Sequence, residues 1–486
     1  MTEREKIAHV LRRLGLGAGR LELAKFEKLG WKGTVDALLN DHKVDEGFPI
    51  SPYEFVVQPK GNLDPNAGRM ADWWALRMTV TNRPFQEKLT LFWHNHFALD
   101  AEKVSEAPTM LGYLDVLRSK GRGKFRDLLH GVVKQGALLI YLDNTSSNRI
   151  HPNENFAREL FELFTLGIGH YTEQDIKESA RAFTGWSLHY LGTGLNLKYD
   201  QLRERATRNK LALYNFCVAP AVHDDGEKTI LGKTGDLDGD DVLDLVASHP
   251  ATIQFISKKL WSWYAYPDPE PAIVEKLGKV WKKTDGDITA IIKAMTAMPE
   301  FWSAKCVRQL PKSPVDYTVA LLRALDPSEA VLKARGAPEE EFTALASDVR
   351  SSAQSVNFLM RRQGLALLYP PNVAGWNWGS AWITAQNVAY RLQHSGQLFA
   401  GGAKGSAISN RAATMIKQTG PRESTDLVRA LAEILDVPLQ HSTVEELAAV
   451  ADKLGGIAAL DKPDTTAKLL AGVTHVMFAV PEFQLC

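Results

Sequence analysis

The stretch His151–Trp186, HPNENFARELFELFTLGIGHYTEQDIKESARAFTGW, has the pattern helix, glycine turn, helix. Asn153 or Asn155 is placed to cap the first helix, and Gly167 and Gly169 to stop it. Thr172 caps the second, with Asp175 three residues later as a near capping box, and Gly185 ends it. On a helical wheel Phe156, Ala157, Leu160, Phe161, Leu163 and Phe164 fill one side of the first helix. Glu154, Asn155, Arg158, Glu159 and Glu162 fill the other. Arg158 lies four residues from both Glu154 and Glu162 and can pair with each. Glu159 and Glu162 are three apart and repel. A metal ion, or a proton held by a raised pKa, relieves that repulsion; so does water, if the face is a solvated surface.

Around this stretch the composition is that of a globular protein. The chain has 486 residues, 45% hydrophobic and 23% charged, enough for a large core and more than one structural unit. The formal net charge is zero, so no global field favours nucleic acid or an anionic membrane. Cys217, Cys306 and Cys486 are scattered and lack CxxC spacing, which supports neither a disulfide framework nor a cysteine zinc site. The longest apolar run, Ala137 to Leu142, is too short to span a bilayer. The opening MTEREKIAHVLRRLGLGAG is charged and lacks a signal-peptide core. It predicts a cytoplasmic protein, or an exported one whose leader has been removed.

Upstream, residues 1–45 read as short helices, the first punctuated by His9, Leu11 and Leu14 and ended by Gly15, Gly17 and Gly19. Arg12 and Arg13 read as solvated helix-end charges before they read as charges that reach other elements. A loop over 46–66 precedes a helix over Gly68–Thr81. Pro84 then opens another, in which Phe85, Leu89, Phe92 and His96 share one apolar face. His94 lies opposite, with Glu87 and Thr90. Positions two apart diverge by about 160° on a straight helix, so WHNHF is not a two-histidine chelate there. His96 is either a core histidine bonded to a backbone carbonyl, or a buried ligand or base. Residues 106–144 read as two further helices.

Downstream, Ser187–Leu195 and Leu211–Val218 alternate and predict a hairpin, the only clear β element. Between them Lys198–Lys210 is a basic excursion, with Arg203 and Arg205, that reads as a solvated loop or as a lid attracting an anionic substrate. His223 and Asp224, in an HDDG turn after the second strand, read equally as a common polar turn and as a metal-ligand or acid–base pair in which Asp224 would orient His223. The chain is then helical to Leu325, and again up to Arg362. Pro370, Pro371, Gly375 and Gly379 frame a turn bearing Trp376, Trp378 and Trp382, as packing plugs or as a stacking wall beside a cleft. Residues 400–422 read as flexible and the last sixty as a small helical bundle. Ala-Met-Pro-Glu-Phe at 297–301 is echoed by Ala-Val-Pro-Glu-Phe at 479–483.

NENFARELFELFTLG with YTEQDIKESARAFTGW resembles the central signature of a bacterial domain-of-unknown-function family, the one numbered eighteen hundred. HVLRRLGLGAG at His9–Gly19, FWHNHFA at Phe92–Ala98 and HDDGEKTILG at His223–Gly232 are similar to it too. So are PPNVAGW at Pro370–Trp376 and PEFQL at Pro481–Leu485. The resemblance spans nearly the whole chain. It implies no assigned reaction. It does imply a family whose members are often exported and often neighbour a family of exported sulfatase-like proteins.

The expected fold is mostly α: a multi-helix domain over 1–400, with one small hairpin near 187–219, and a helical C-terminal part over 401–486. The expected site is a cleft where the distant motifs converge. His96, Glu159, Glu162 and His223 would be ligands of a divalent metal ion or acid–base groups. Asp224 would support His223, Arg158 would hold substrate or a carboxylate, and Trp376, Trp378, Arg203 and Arg205 would contact substrate. By family association the reaction is hydrolysis of a glycan or another polymer, with a sulfatase-like protein as partner. A metal-free lyase-type set of Asn95, His96, Tyr171 and Arg158 is the second enzymatic reading. A non-catalytic helical scaffold is the third.

Overall fold

The computed structural model describes residues 1–56, 66–190, 214–325, 345–399 and 407–486. Among them the protein is mostly α, with two small antiparallel two-stranded sheets. Helices begin where the sequence supplies caps. Thr2 and Glu5 form a capping box on Glu3–Leu14, and Thr172 and Asp175 form one on Glu173–Ala182. Proline opens Pro84–His96, Pro250–Tyr264 and Pro463–Met477, where its missing N–H leaves nothing unsatisfied. No described helix is long and apolar enough to cross a membrane.

Two hydrophobic clusters carry the packing. The larger runs from Ile7 to Trp382. The second joins Tyr317, Leu321 and Phe399 to the helices Ala407–Lys417, Ser424–Ile434, His441–Lys453 and Pro463–Met477. Helix Ala407–Lys417 lies where composition predicts a flexible connection. Ala412, Met415 and Ile416 are buried there, and that burial outweighs the weak local propensity. Both Pro-Glu-Phe echoes end as 3-10 turns, Pro299–Trp302 and Pro481–Gln484, each burying its phenylalanine.

Arg12 and Arg13 are not solvated. They are 5% and 1% exposed. Arg12 donates to both carboxylate oxygens of Asp436, at 2.8 and 2.9 Å, and Arg13 donates to the Cys306 carbonyl. Arg12 thus ties the first helix to the C-terminal cluster, and Arg13 ties it to a segment of the larger one, each across hundreds of residues.

The predicted hairpin is present: β1 (Trp186–Tyr190) pairs with β2 (Tyr214–Val218), Trp186 opposite Val218. It is not the only β element. β3 (Lys228–Ile230) pairs with β4 (Lys233–Gly235) across a turn in which Leu231 and Gly232 take φ of 48° and 80°. Such a turn normally announces itself with Asn or Asp at its first position. Leucine there hid it.

The histidine helix, Pro84–His96, is buried on every side. Glu87, Thr90 and His94 are 0%, 1% and 0% exposed. The side that looks polar in sequence faces an internal network. Glu87 accepts from Trp74 Nε1 at 2.7 Å, from Arg77 Nε at 2.9 Å and from Arg118 Nε at 2.9 Å. Both guanidinium groups lie 5.2 Å from the centre of the Trp73 ring. Burial raises the Glu87 pKa, but the charges and hydrogen bonds of Arg118 and Arg77 outweigh it and bring the value down to about 2.

Candidate functional site

The signature stretch folds as the wheel predicts. Phe156, Ala157, Leu160, Phe161 and Phe164 are buried, while Arg158, Glu159 and Glu162 are half-buried. Asn153 caps the helix by accepting from Phe156 N at 3.0 Å. The helix is α over Glu154–Glu159 and then widens into a π turn over Leu160–Phe164. Thr165 Oγ1 donates to Leu160 O at 2.7 Å, satisfying a carbonyl released by the wider turn. Gly167 and Gly169 follow at φ of 78° and 89°. π turns recur at functional sites; this one starts directly after Glu159 and contains Glu162.

Arg158 does not divide itself between Glu154 and Glu162. It makes a bidentate pair with Glu173, both bonds 2.8 Å, and is 3.9 Å from Glu162. Glu173 opens the next helix, and its role was not legible because it faces Arg158 only once the glycine turn has folded back. Tyr171 donates a hydrogen bond to Glu162; burial and then this partner push the phenol up to about 12. Glu159 has no hydrogen-bond partner among the described residues. Burial first, and the Glu162 charge second, raise its pKa above the usual carboxylate value.

That shift has a sign. A carboxyl whose folded pKa is raised favours folding while protonated, and that advantage is lost as pH rises through the folded value. Glu159→Gln is therefore expected to leave the melting temperature unchanged or slightly raised at pH 7.5. The gain is at most about 0.5 kcal/mol after solvent screening, with no gain at pH 4. A clear loss of stability at pH 7.5 in thermal melts would mean that Glu159 has a cationic partner.

The WHNHF segment is a clasp. Leu368 N–H donates to His94 Nε2 at 3.2 Å, His94 Nδ1 donates to Tyr113 Oη at 3.2 Å, and Tyr113 donates to Phe97 O at 2.8 Å. The relay fixes the tautomer, and burial holds the His94 pKa down at about 3. Asn95 Oδ1 accepts from Trp376 N at 2.7 Å. Gly375, at φ 83°, packs on Asn95 so closely that any side chain would strike its backbone oxygen. His96 Nε2 donates to Phe164 O at 3.1 Å. Three consecutive side chains thus hold the tryptophan turn and the end of the π turn against one helix.

This corrects the role expected of His96. It does meet the signature segment, but through a backbone carbonyl. It is 1% exposed, inside rings from Phe92, Trp93, Phe97, Phe125 and Phe164. Burial, and secondarily the Lys259 charge, lower its pKa well below the ordinary value. The lyase-type set does not assemble either: Tyr171 and Arg158 share the glutamate face, while Asn95 and His96 serve the clasp.

His223 and Asp224 sit together but act separately. His223 Nδ1 donates to Thr184 O at 2.7 Å, which leaves Nε2 as the nitrogen with a lone pair. Asp224 pairs with Arg181 at 2.8 and 2.9 Å instead of orienting the imidazole. Thr184 and Arg181 flank the end of the second signature helix, so only the folded turn shows what they hold.

Trp376 is 5% exposed and meets His94 edge-on at 5.3 Å, packed as a plug in the turn. Trp378 stacks on Trp263 at 3.7 Å, which occupies one face of its ring. Arg203, Arg205 and the Lys198–Lys210 excursion lie outside the described residues. The expected four-donor metal set is not brought together. His96 is sealed behind the π turn, His223 is held by Thr184, and Glu159 and Glu162 stand on the half-buried face. Among the described residues no three His, Cys, Asp or Glu side chains converge as a metal centre.

The fold and this face define a mostly α protein built around a π-broken, carboxylate-bearing helix, with its other motifs clasped beneath. Its membership follows from the whole length of the chain. The family model described as Protein of unknown function (DUF1800) matches residues 9–485, and the chain belongs to that family. No curated protein and no solved structure matches the chain.

Proposed function

We propose that the protein is an enzyme of hydrolase type acting on a glycan or another polymer by carboxylate acid–base chemistry, with Arg158, Glu159, Glu162 and Tyr171 as its reacting face. The observation that carries this reading is Glu159. It is half-buried, has no hydrogen-bond partner among the described residues, and has a pKa raised first by burial and then by the Glu162 charge. Its neighbour Glu162 is flanked by Arg158 and hydrogen-bonded by Tyr171. A carboxyl with no hydrogen-bond partner beside one held by an arginine and a tyrosine suits the general-acid and general-base roles of glycoside cleavage. Glu159 would deliver its proton to the leaving oxygen, and Glu162 would take one from the attacking water. A divalent ion on this face would have Glu159 and Glu162 as its protein donors, with water and substrate filling its shell, and would supply an acidified water. Export and a sulfatase-like partner belong to the same proposal.

The scaffold reading is favoured by one observation, the commitment of His94, Asn95 and His96 to holding backbone segments. A panel of polysaccharides assayed for released reducing ends separates the two. The expected result is product from the parent, with a loss of about 100-fold or more in Glu159→Gln and in Glu162→Gln, as for removal of a general acid or base. Product release indifferent to both substitutions would remove the face from the chemistry.

A further inference from the structure

A cleft of about 1000 Å³ opens between helices Gly68–Val80 and Ser347–Arg362 on one side and Ala385–Phe399 on the other. The two hydrophobic clusters meet nearby, a common location for ligand sites. Nothing in the sequence motifs points to it. The only hint is an aspartate, Asp72, beside two tryptophans in a helix buried almost throughout.

Three features of the cleft describe its ligand. The first is polar and buried. Asp72 accepts from Asn357 Nδ2 at 2.8 Å and lies 3.7 Å from Arg69. Asn357 Oδ1 and His394 Nδ1 also belong to cleft residues, and both are buried without a hydrogen-bond partner. Asn357 is 6% exposed and His394 3%. A buried polar atom left unmatched is costly, and two on the same cleft ask for donors from outside.

The second feature is cationic. Arg361 lines the cleft, is exposed, and has no ion pair or hydrogen bond from its guanidinium among the described residues. Burial raises the Asp72 pKa, and the bond from Asn357 and the charges of Arg69, Arg350 and Arg361 oppose it. Of the lining residues two are arginines, Arg69 and Arg361, against one carboxyl, Asp72, while Asp100 and Glu102 also act on the lining Tyr369. The third feature is apolar: Phe358, on the lip, is 57% exposed.

An unpaired cation, hydrogen-bonding groups that suit hydroxyls, and an exposed flat ring together fit a sugar that carries a negative substituent. We propose that this cleft is a binding site for an acidic saccharide, with Arg361 holding its anionic group, Asp72 and Asn357 its hydroxyls, and Phe358 stacked on a ring face. This rests on the reading of the protein as a glycan-acting enzyme.

The test is calorimetric titration of the full chain at low salt with four probes. These are a carboxylate-bearing trigalacturonate, a sulfated galactan tetrasaccharide, neutral maltotetraose and an Asp/Glu hexapeptide. One of the two acidic saccharides is expected to bind best, and which one distinguishes carboxylate from sulfate. Arg361→Gln and Phe358→Ala are each expected to weaken it by about tenfold or more, the loss of a charge-assisted bond or a ring contact, with melting temperatures unchanged. Added salt should weaken it further.

The proposal is overturned if neither acidic saccharide binds, if maltotetraose or the hexapeptide binds as tightly, or if both substitutions leave affinity unchanged. Its fate is separable from that of the catalytic reading. Arg361-dependent binding without Glu159-dependent cleavage keeps the cleft and removes the chemistry. Glu159-dependent cleavage with affinity and KM indifferent to Arg361 does the reverse.

Discussion

Replacing Glu87 with glutamine is expected to destabilise the fold by about 3–5 kcal/mol, the cost of leaving buried charges without their partner. Glu87 is fully buried, and Arg77 and Arg118, 7% and 8% exposed, both rest on its carboxylate. Glutamine matches it in size, so packing around Trp73 and Trp74 survives and the electrostatic loss is isolated. Arg77 retains an ion pair with Glu46 at 2.6 Å, and Arg118 one with Asp115 at 3.2 Å. Both of those carboxyls are pushed up by burial and replace Glu87 poorly.

The pH dependence gives the prediction a second handle. The folded pKa of Glu87 is about 2, against an ordinary 4.5. A depressed carboxyl contributes stability above its unfolded value and loses it as pH falls through the folded one. That difference corresponds to about 3 kcal/mol, in line with the estimate from ion-pair removal. In urea titrations the gap between parent and Glu87→Gln should be full at pH 7 and shrink steadily from about pH 4.5 toward pH 2. A gap below about 1 kcal/mol at pH 7, typical of an exposed pair, would mean that the network is hydrated in solution.

His94→Ala is expected to cost about 3–5 kcal/mol as well, by a different route. The substitution opens a cavity among Trp74, Tyr113 and Trp376, whose rings meet His94 at 5.3 to 5.8 Å. It also strands the Leu368 N–H, which has its acceptor in His94 Nε2. The damage should be directional. Hydrogen exchange at Leu368 and Trp376 should accelerate before exchange at Phe156 or Leu160, because the clasp holds the tryptophan turn from the His94 and Asn95 side. Since His94 is neutral at any pH above about 3, the loss should not vary between pH 5 and pH 8. Equal acceleration across all these amides would show that His94 supports the whole core and not a clasp.

The sequence by itself determined which segments are helical and where many of them start. Capping pairs such as Thr172 with Asp175, prolines at first turns, and the apolar spacing of Phe156, Leu160, Phe161 and Phe164 act over one or two turns and need no distant partner. It also determined the family, because the motifs are spread over the chain and specific as a set. It placed Glu159 and Glu162 on the polar side of their helix, since a helical wheel is a local property, and left open how far that side is buried.

The tertiary structure decided what the polar residues do. Arg12 and Arg13 read as solvated because nothing nearby in sequence could receive them; Asp436 and the Cys306 carbonyl lie on remote segments. His96 and His223 looked alike as candidate ligands, since a histidine's role depends on what faces each ring nitrogen. Phe164 O and Thr184 O face them here. Glu173 displaced Glu154 as the partner of Arg158 because a helix end that folds back outcompetes a neighbour one turn away. The cleft holding Asp72 and Arg361 was invisible for the same reason: a cavity is made by the packing of helices and has no spacing in the sequence.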